Sequence, residues 1–359
     1  MRLLVLSILR HAIRRAMLAG LTALLLGAGI RCSESPVSSE PDPNALEHVT
    51  PEEVGFSSAA LQQAVAGFEQ IGSAAVVAVY DGKVFLSWGE VDRKFWCHSI
   101  RKSFLSALYG IYVGRGVIDT SKTLEGLGID DIAPSLTPEE KQARVADLLK
   151  SRSGVYHDAA AETADMAASR PERGSHPPDT FFYYNNWDFN VAGVIFEQET
   201  GVGIFDAFES EIAEPIGMED FVAADGTYSY ELEKSMHPAY PFSMTAMDMA
   251  RFGLLYLRNG NWNGQQIVPQ EWIAASTTAY SVEDAEANIG YGMMWYIIPQ
   301  DFPLFGPGFA HSGIGVHLLL VLPADNLVIV HRVNTFEPWT LTGEDYLPLV
   351  GQIVNARIR

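Results

Sequence analysis

Cysteine is almost missing from this chain. Cys32 and Cys97 are the only two among 359 residues. Cys32 falls in a polar leader, so a disulfide framework is excluded, and Cys97 reads as a small buried apolar residue. Basic residues are scarce as well: 24 lysines and arginines face 44 aspartates and glutamates, a formal charge of −20. Residues 1–31 hold five of the arginines and no acid, so the remainder carries 19 basic residues against 44 acidic ones, a net of −25. Such a surface has no basic patch to displace counterions, which argues against nucleic acid as a partner. It suits a salty or extracytoplasmic setting. There is no low-complexity tract and no internal repeat. The nine histidines show no His-Glu-x-x-His or similar spacing, so no metal and no cofactor is expected. No Gly-x-Ser-x-Gly elbow and no phosphate-binding glycine loop occurs either.

What is there begins with a leader. Arg2, Arg10, Arg14 and Arg15 form a basic region ahead of an apolar stretch, residues 17–30. That stretch is short for a membrane span and fits a signal-peptide core. Residues 1–31 therefore read as a signal peptide and 32–50, rich in Ser, Pro, Glu and Asp, as a linker. Export to the periplasm or outside the cell is expected, with no transmembrane span left after cleavage. Cys32 is a candidate lipid attachment point, although Arg31 stands where such a site wants a small residue.

Residues 51–355 read as one folded unit. Ser57 or Ser58 caps a helix reaching Ile71, and Asp81-Gly82 turns a hairpin between apolar strands. Residues 117–285 are mostly helical patterns and loops. A helix is expected from Thr137-Pro138-Glu139-Glu140 to near Ser153, a surface loop over 158–180, and helices over 187–199, 245–258 and 269–275. Strands return at 291–298, 316–321 and 327–333, and a closing helix is expected from Glu344. The expected class is α+β. One antiparallel sheet is built from both ends (about 57–95 and 290–359), flanked by terminal helices, with a mostly helical part (about 99–285) inserted.

Chemistry concentrates at Ser99-Ile100-Arg101-Lys102, the only Ser-x-x-Lys in the chain. Three residues apart on a helix, Lys102 Nζ reaches Ser99 Oγ. A serine hydroxyl needs a neighbouring base, and a desolvated lysine can stay neutral enough to serve. Phe104, Leu105, Leu108 and Ile111 supply apolar surroundings. A second candidate element is Tyr183-Tyr184-Asn185-Asn186, ahead of an apolar helix. A tyrosine there could relay a proton, and Asn186 could donate to a substrate carbonyl. The third is His311-Ser312-Gly313, which follows Gly306-Pro307-Gly308 and precedes a strand. Gly313 permits close backbone approach, and the N–H groups of Ile314 and Ser99 could form an oxyanion hole. Trp96, Tyr183, Trp187, Trp295 and Phe309 lie near these motifs as candidate pocket aromatics or core.

These three elements, in this order, resemble the serine β-lactamase and penicillin-binding-protein superfamily. The class C-like branch, with family VIII esterases and 6-aminohexanoate-dimer hydrolases, is the most similar. The resemblance runs over roughly residues 50–355 and includes Leu148-Leu149-Lys150-Ser151-Arg152-Ser153-Gly154 after the first helix. It implies Ser99 as nucleophile, Lys102 as its base and Tyr184 of a Tyr-x-Asn motif as proton shuttle. Tyr183 fits the same pattern one residue earlier; Tyr184 is preferred because Gly193 follows nine residues on. Asn186, His311, Gly313 and Ile314 are the implied substrate-binding residues, His311 standing where lactamases have lysine. The implied activity is acyl transfer from small ester or amide substrates, β-lactams included. D,D-peptidase or β-lactamase activity, or a non-catalytic sensor of the same fold, are the alternatives. Oligomeric state is not read from the sequence.

Overall fold

The structure, a computed structural model, describes residues 44–358. The signal peptide, Cys32 and most of the linker lie outside the described residues. Among the described residues no helix is long and apolar enough to cross a membrane.

One nine-stranded sheet dominates. Its strands are β1 (Glu47–His48), β2 (Ala75–Tyr80), β3 (Lys83–Gly89), β4 (Ser281–Asp284), β5 (Ile289–Tyr291), β6 (Tyr296–Ile298), β7 (Gly308–Gly313), β8 (His317–Leu322) and β9 (Leu327–Arg332). Their spatial order is β1-β3-β2-β9-β8-β7-β6-β5-β4. All pairings are antiparallel except β1 on β3. The sheet is thus assembled from both ends of the chain, with β2 against β9 at the junction, as the class expectation required.

The central strands β8 and β9 are buried along their whole length and β2 along nearly all of it, because both faces are covered. Helices α1 (Ser58–Ile71) and α5 (Gly343–Asn355) pack together on one face, where Phe68 and Tyr346 flank His331. Helix α4 (Ala246–Leu257) covers the other. Between β3 and β4 lie α2 (Arg101–Gly114) and α3 (Asn186–Thr200). Ser57 caps α1, Thr245 caps α4 through the Asp248 N–H, and Gly201 ends α3 in the left-handed conformation.

Several expectations need correction. The linker reading extends too far: Glu47 and His48 already pair with Lys83 and Val84. The single helix expected over 137–153 is a 3₁₀ turn, Glu140–Gln142, and a short helix, Val145–Leu149. Thr137 and Glu140 exchange capping hydrogen bonds and Glu140 takes Arg173, but the backbone leaves the helical path at Ala143 (ψ 137°) before a second turn forms. The 158–180 loop contains a helix, Ala164–Ser169, capped by Thr163. Residues 291–298 are not one strand but the last residue of β5, the turn after it and the whole of β6. The sheet also begins earlier than about 290, at Ser281, because β4 is an acidic edge strand without an apolar run.

Candidate active site

Ser99 lies in a single 3₁₀ turn, His98–Ile100, that runs directly into α2. The chain enters that turn through His98 at φ 47°. A left-handed residue with a β-carbon is costly and persists only where its surroundings fix it. Here they do. His98 Nε2 is 2.8 Å from Thr335 Oγ1. Fully buried Arg332 donates to the carbonyls of Phe95 (2.8 Å), Trp96 (3.2 Å) and Met244 (3.1 Å), and to His317 Nδ1 (3.0 Å). The approach to Ser99 is therefore held by the end of β9.

Lys102, 1 % exposed, has its Nζ 2.8 Å from Ser99 Oγ. The ring centroids of Tyr184 and Phe189 each lie 4.9 Å from that nitrogen. Burial pushes the Lys102 ammonium well below its ordinary value, and the Arg101 charge adds to the shift. Both effects work against the ammonium and towards the neutral amine, the form that can accept a proton. Arg101 is itself buried: it bonds Asn190 Oδ1 at 3.3 Å and lies over the Tyr240 ring at 4.1 Å, while its Nη1 has no hydrogen-bond partner.

Tyr184 and Tyr183 part company. Tyr183 spends its hydroxyl on Met166 O at 2.7 Å. The Tyr184 hydroxyl is buried without a hydrogen-bond partner, and the ring that carries it lies against Lys102 Nζ. Burial raises its pKa, and the neighbouring Ser99 hydroxyl and Arg101 pull it back in part. Asn186 opens α3 and is buried. Its amide nitrogen bonds Ala161 O at 2.7 Å, leaving Oδ1 as its unpartnered atom. It thus offers an acceptor here, not the expected donor.

His311 is fully buried on β7 with its ring 5.2 Å from that of Tyr296. Burial is the main cause that pushes it down to about 3. The ring is neutral; its Nδ1 lies 2.9 Å from Ser312 O and its Nε2 is unpartnered. Gly313 ends β7 against the Ser99 turn. A Cβ there would sit 2.8 Å from Cys97 O and 2.9 Å from His98 Cβ, so a side chain would pry the strand off the turn. Ile314 follows in the β7–β8 turn with its side chain exposed.

The structure brings Ser99, Lys102 and Tyr184 together and sets Gly313, ahead of Ile314, beside the Ser99 turn. Of the candidate pocket aromatics, Trp187, Trp295 and Phe309 are core, and Trp96 alone is largely exposed. Tyr296 was not anticipated: its ring is stacked at 6.0 Å on Tyr184. Nothing in the local sequence marks it, since Tyr296 lies on β6 and Tyr184 in the segment just ahead of α3, far apart in the chain. A cavity of about 330 Å³ lined by His48, Asp92, Glu219 and Arg251 shares no residue with this cluster.

The sequence pattern of the Beta-lactamase family matches residues 61–349. No curated protein matches the chain. Among solved structures, a Bacillus anthracis protein that carries the name 6-aminohexanoate-dimer hydrolase is 21% identical (TM-score 0.62), with 80% of each chain covered. A class C beta-lactamase solved in complex with cefoxitin is 16% identical (TM-score 0.62), covering 83% of this chain and 99% of its own. The octameric penicillin-binding protein homologue from Pyrococcus abyssi is 18% identical (TM-score 0.60), covering 81% and 75%. These likenesses concern the fold. The sheet built from both ends, the Ser99 turn ahead of a buried helix and the family match across most of the described residues lead to one assignment: the chain belongs to the beta-lactamase family.

Proposed function

We propose that this protein is a serine hydrolase that cleaves ester or amide bonds through an acyl-enzyme on Ser99. The observation that carries the reading is the 2.8 Å contact between Ser99 Oγ and the buried Lys102 amine. Lys102 takes the Ser99 proton as Oγ attacks the substrate carbonyl. The N–H groups of Ser99 and Ile314 hold the oxyanion. The Tyr184 hydroxyl gives its proton to the leaving oxygen or nitrogen and regains one from the Lys102 ammonium. Water then adds to the acyl carbonyl, passing a proton to the same pair, and Ser99 recovers its hydrogen as the acid departs.

His311 favours neutral substrates. A ring pushed down to about 3 carries no charge at neutral pH and offers nothing to a substrate carboxylate. Uncharged esters and simple amides should therefore be preferred to penicillins. Fluorophosphonate labelling followed by peptide mass mapping tests the assignment. An adduct on Ser99 is expected, and a Ser99→Ala protein that still turns over p-nitrophenyl butyrate at the wild-type rate would overturn it. Labelling of Ser99 without steady-state turnover would instead support a sensor that acylates and stalls.

A further inference from the structure

We infer that Trp96, Ile314, Phe336 and Trp339 form an apolar rim that binds an uncharged alkyl or aryl arm of the substrate cleaved at Ser99; this rests on the hydrolase reading above.

Large apolar side chains are mostly interior in this protein, yet these four are between 39% and 47% exposed. They come from three separate segments that meet at one place. Trp96 stands three residues before Ser99, and its ring meets that of Phe336 edge-on at 5.1 Å. Ile314 follows Gly313, the residue that abuts the Ser99 turn. Trp339 lies against the next residue: a Cβ on Gly315 would touch its indole at 3.5 Å. The same Cβ would strike Thr335 Cγ2 at 2.3 Å, so only glycine, here at φ 81°, lets residues 335–339 close on this turn. Thr335 in turn bonds His98, the neighbour of Ser99. The rim is thus tied on both sides to the Ser99 turn and to the turn bearing Ile314.

Its chemistry selects the occupant. The nearby Arg93 guanidinium lies 6.0 Å from the Phe336 ring centroid but is paired with Glu90 at 2.8 Å. Glu337 sits between Phe336 and Trp339 in sequence, and His311 is neutral. A carboxylate finds no partner in this set, whereas a chain of methylenes or an aromatic ring gains by leaving water against three rings. Because Ile314 supplies both a rim side chain and a proposed oxyanion N–H, a substrate seated in that hole extends across the rim.

Chain-length series on both sides of the bond test this. One series is p-nitrophenyl esters from acetate to octanoate; the other is alkyl acetates from methyl to octyl. In wild type, kcat/KM should rise with length in at least one series. In Phe336→Ala and Trp339→Ala the longest-to-shortest ratio of that series should fall at least about fivefold, as expected when several methylenes lose their apolar contact. A ratio unchanged in both series overturns the proposal. So does an unchanged ratio accompanied by loss of phosphatidylcholine-vesicle binding or of self-association, which would assign the patch to a lipid surface or a second copy. Tryptophan fluorescence of the Ser99→Ala protein, titrated with methyl octanoate and methyl acetate, reads the rim without turnover. Selective binding of the octanoate there, with no Ser99 labelling in wild type, would sink the hydrolase reading and leave the rim standing. Equal affinity for both would sink the rim.

Discussion

Two buried polar regions of this molecule obey opposite rules. Around α3 and its neighbouring loops, buried carboxylates are saturated with donors. Asp131 accepts from Trp187 Nε1 (2.7 Å), Ser235 Oγ (2.6 Å), Met236 N (2.9 Å) and Ile132 N (2.7 Å). Asp188 takes Ser153 Oγ, Ser153 N and Asn185 Nδ2; outside this region Asp248, in the first turn of α4, likewise takes three consecutive backbone N–H groups. Around Ser99 the buried groups are a guanidinium, an amine, a phenol, an amide and a neutral imidazole, and four of their atoms are left open: Tyr184 OH, Arg101 Nη1, Asn186 Oδ1 and His311 Nε2 lack partners. An unpaired buried polar atom costs roughly 1–3 kcal/mol. The fold compensates the first set internally and leaves the second uncompensated. Arg332 sharpens the contrast: equally buried and close to Ser99, it is fully bonded, because its work is to hold carbonyls in place.

Substitution on the open side should abolish activity and spare the fold. Ser99→Ala is expected to lose at least about 10³-fold in ester turnover, as removal of a nucleophile does, with an unchanged or higher Tm. Lys102→Met should lose at least about 10²-fold and become more stable. Lys102 is held below its ordinary value, so wild type forgoes stability at pH 7 and regains it as pH climbs towards about 10.4, where the unfolded lysine loses its proton. The stability gain of Lys102→Met in urea should therefore shrink between pH 7 and 10. A constant gain would contradict a buried neutral amine.

The saturated side should answer in the opposite sense. Asp131→Ala strands four donors and should cost about 3 kcal/mol or more in urea unfolding, while the surviving folded protein still labels at Ser99. Burial pushes the Asp131 carboxyl up, but Ser235, Met236 and Trp187 outweigh it and hold the carboxyl below its usual value. Its stabilisation is therefore present above about pH 4 and lost as pH falls through the lowered value. Equal losses of activity and stability in Asp131→Ala and Lys102→Met would erase the distinction between the two regions.

The histidines give a smaller effect. Burial pushes His98 and His331 down to about 4 and His311 to about 3. All three take up protons more readily when unfolded, so stability should decline as pH drops below about 6.5. The wild-type urea midpoint should be lower at pH 5 than at pH 7.5, and His311→Asn should flatten part of that slope. The smallest expected change is in specificity. His311→Lys should raise benzylpenicillin turnover relative to p-nitrophenyl butyrate by a few-fold, about the scale of one added charge pair; an unchanged ratio would mean that this position does not read a carboxylate.

The amino-acid sequence by itself determined the class of fold, the capped ends of the long helices and the pairing of Ser99 with Lys102. Each depends on residues close together in the chain, where helical spacing, capping chemistry and β-alternation act directly. It also marked Tyr184 and the His311-Ser312-Gly313 segment, although as separate signals with no distance between them. The tertiary structure decided the rest. It turned Tyr183 away and Tyr184 inward because Met166 O satisfies one hydroxyl and not the other. It tied the Asn186 amide nitrogen to Ala161 O, brought Tyr296 of β6 onto Tyr184 ahead of α3 and anchored the Ser99 turn through Arg332, 233 residues away in the chain. It also left Trp96 exposed while burying Trp187 and Trp295, which composition cannot distinguish. Burial and hydrogen-bond partnership are set by what lies opposite in space, and in a sheet closed by the two ends of the chain those neighbours are remote in sequence.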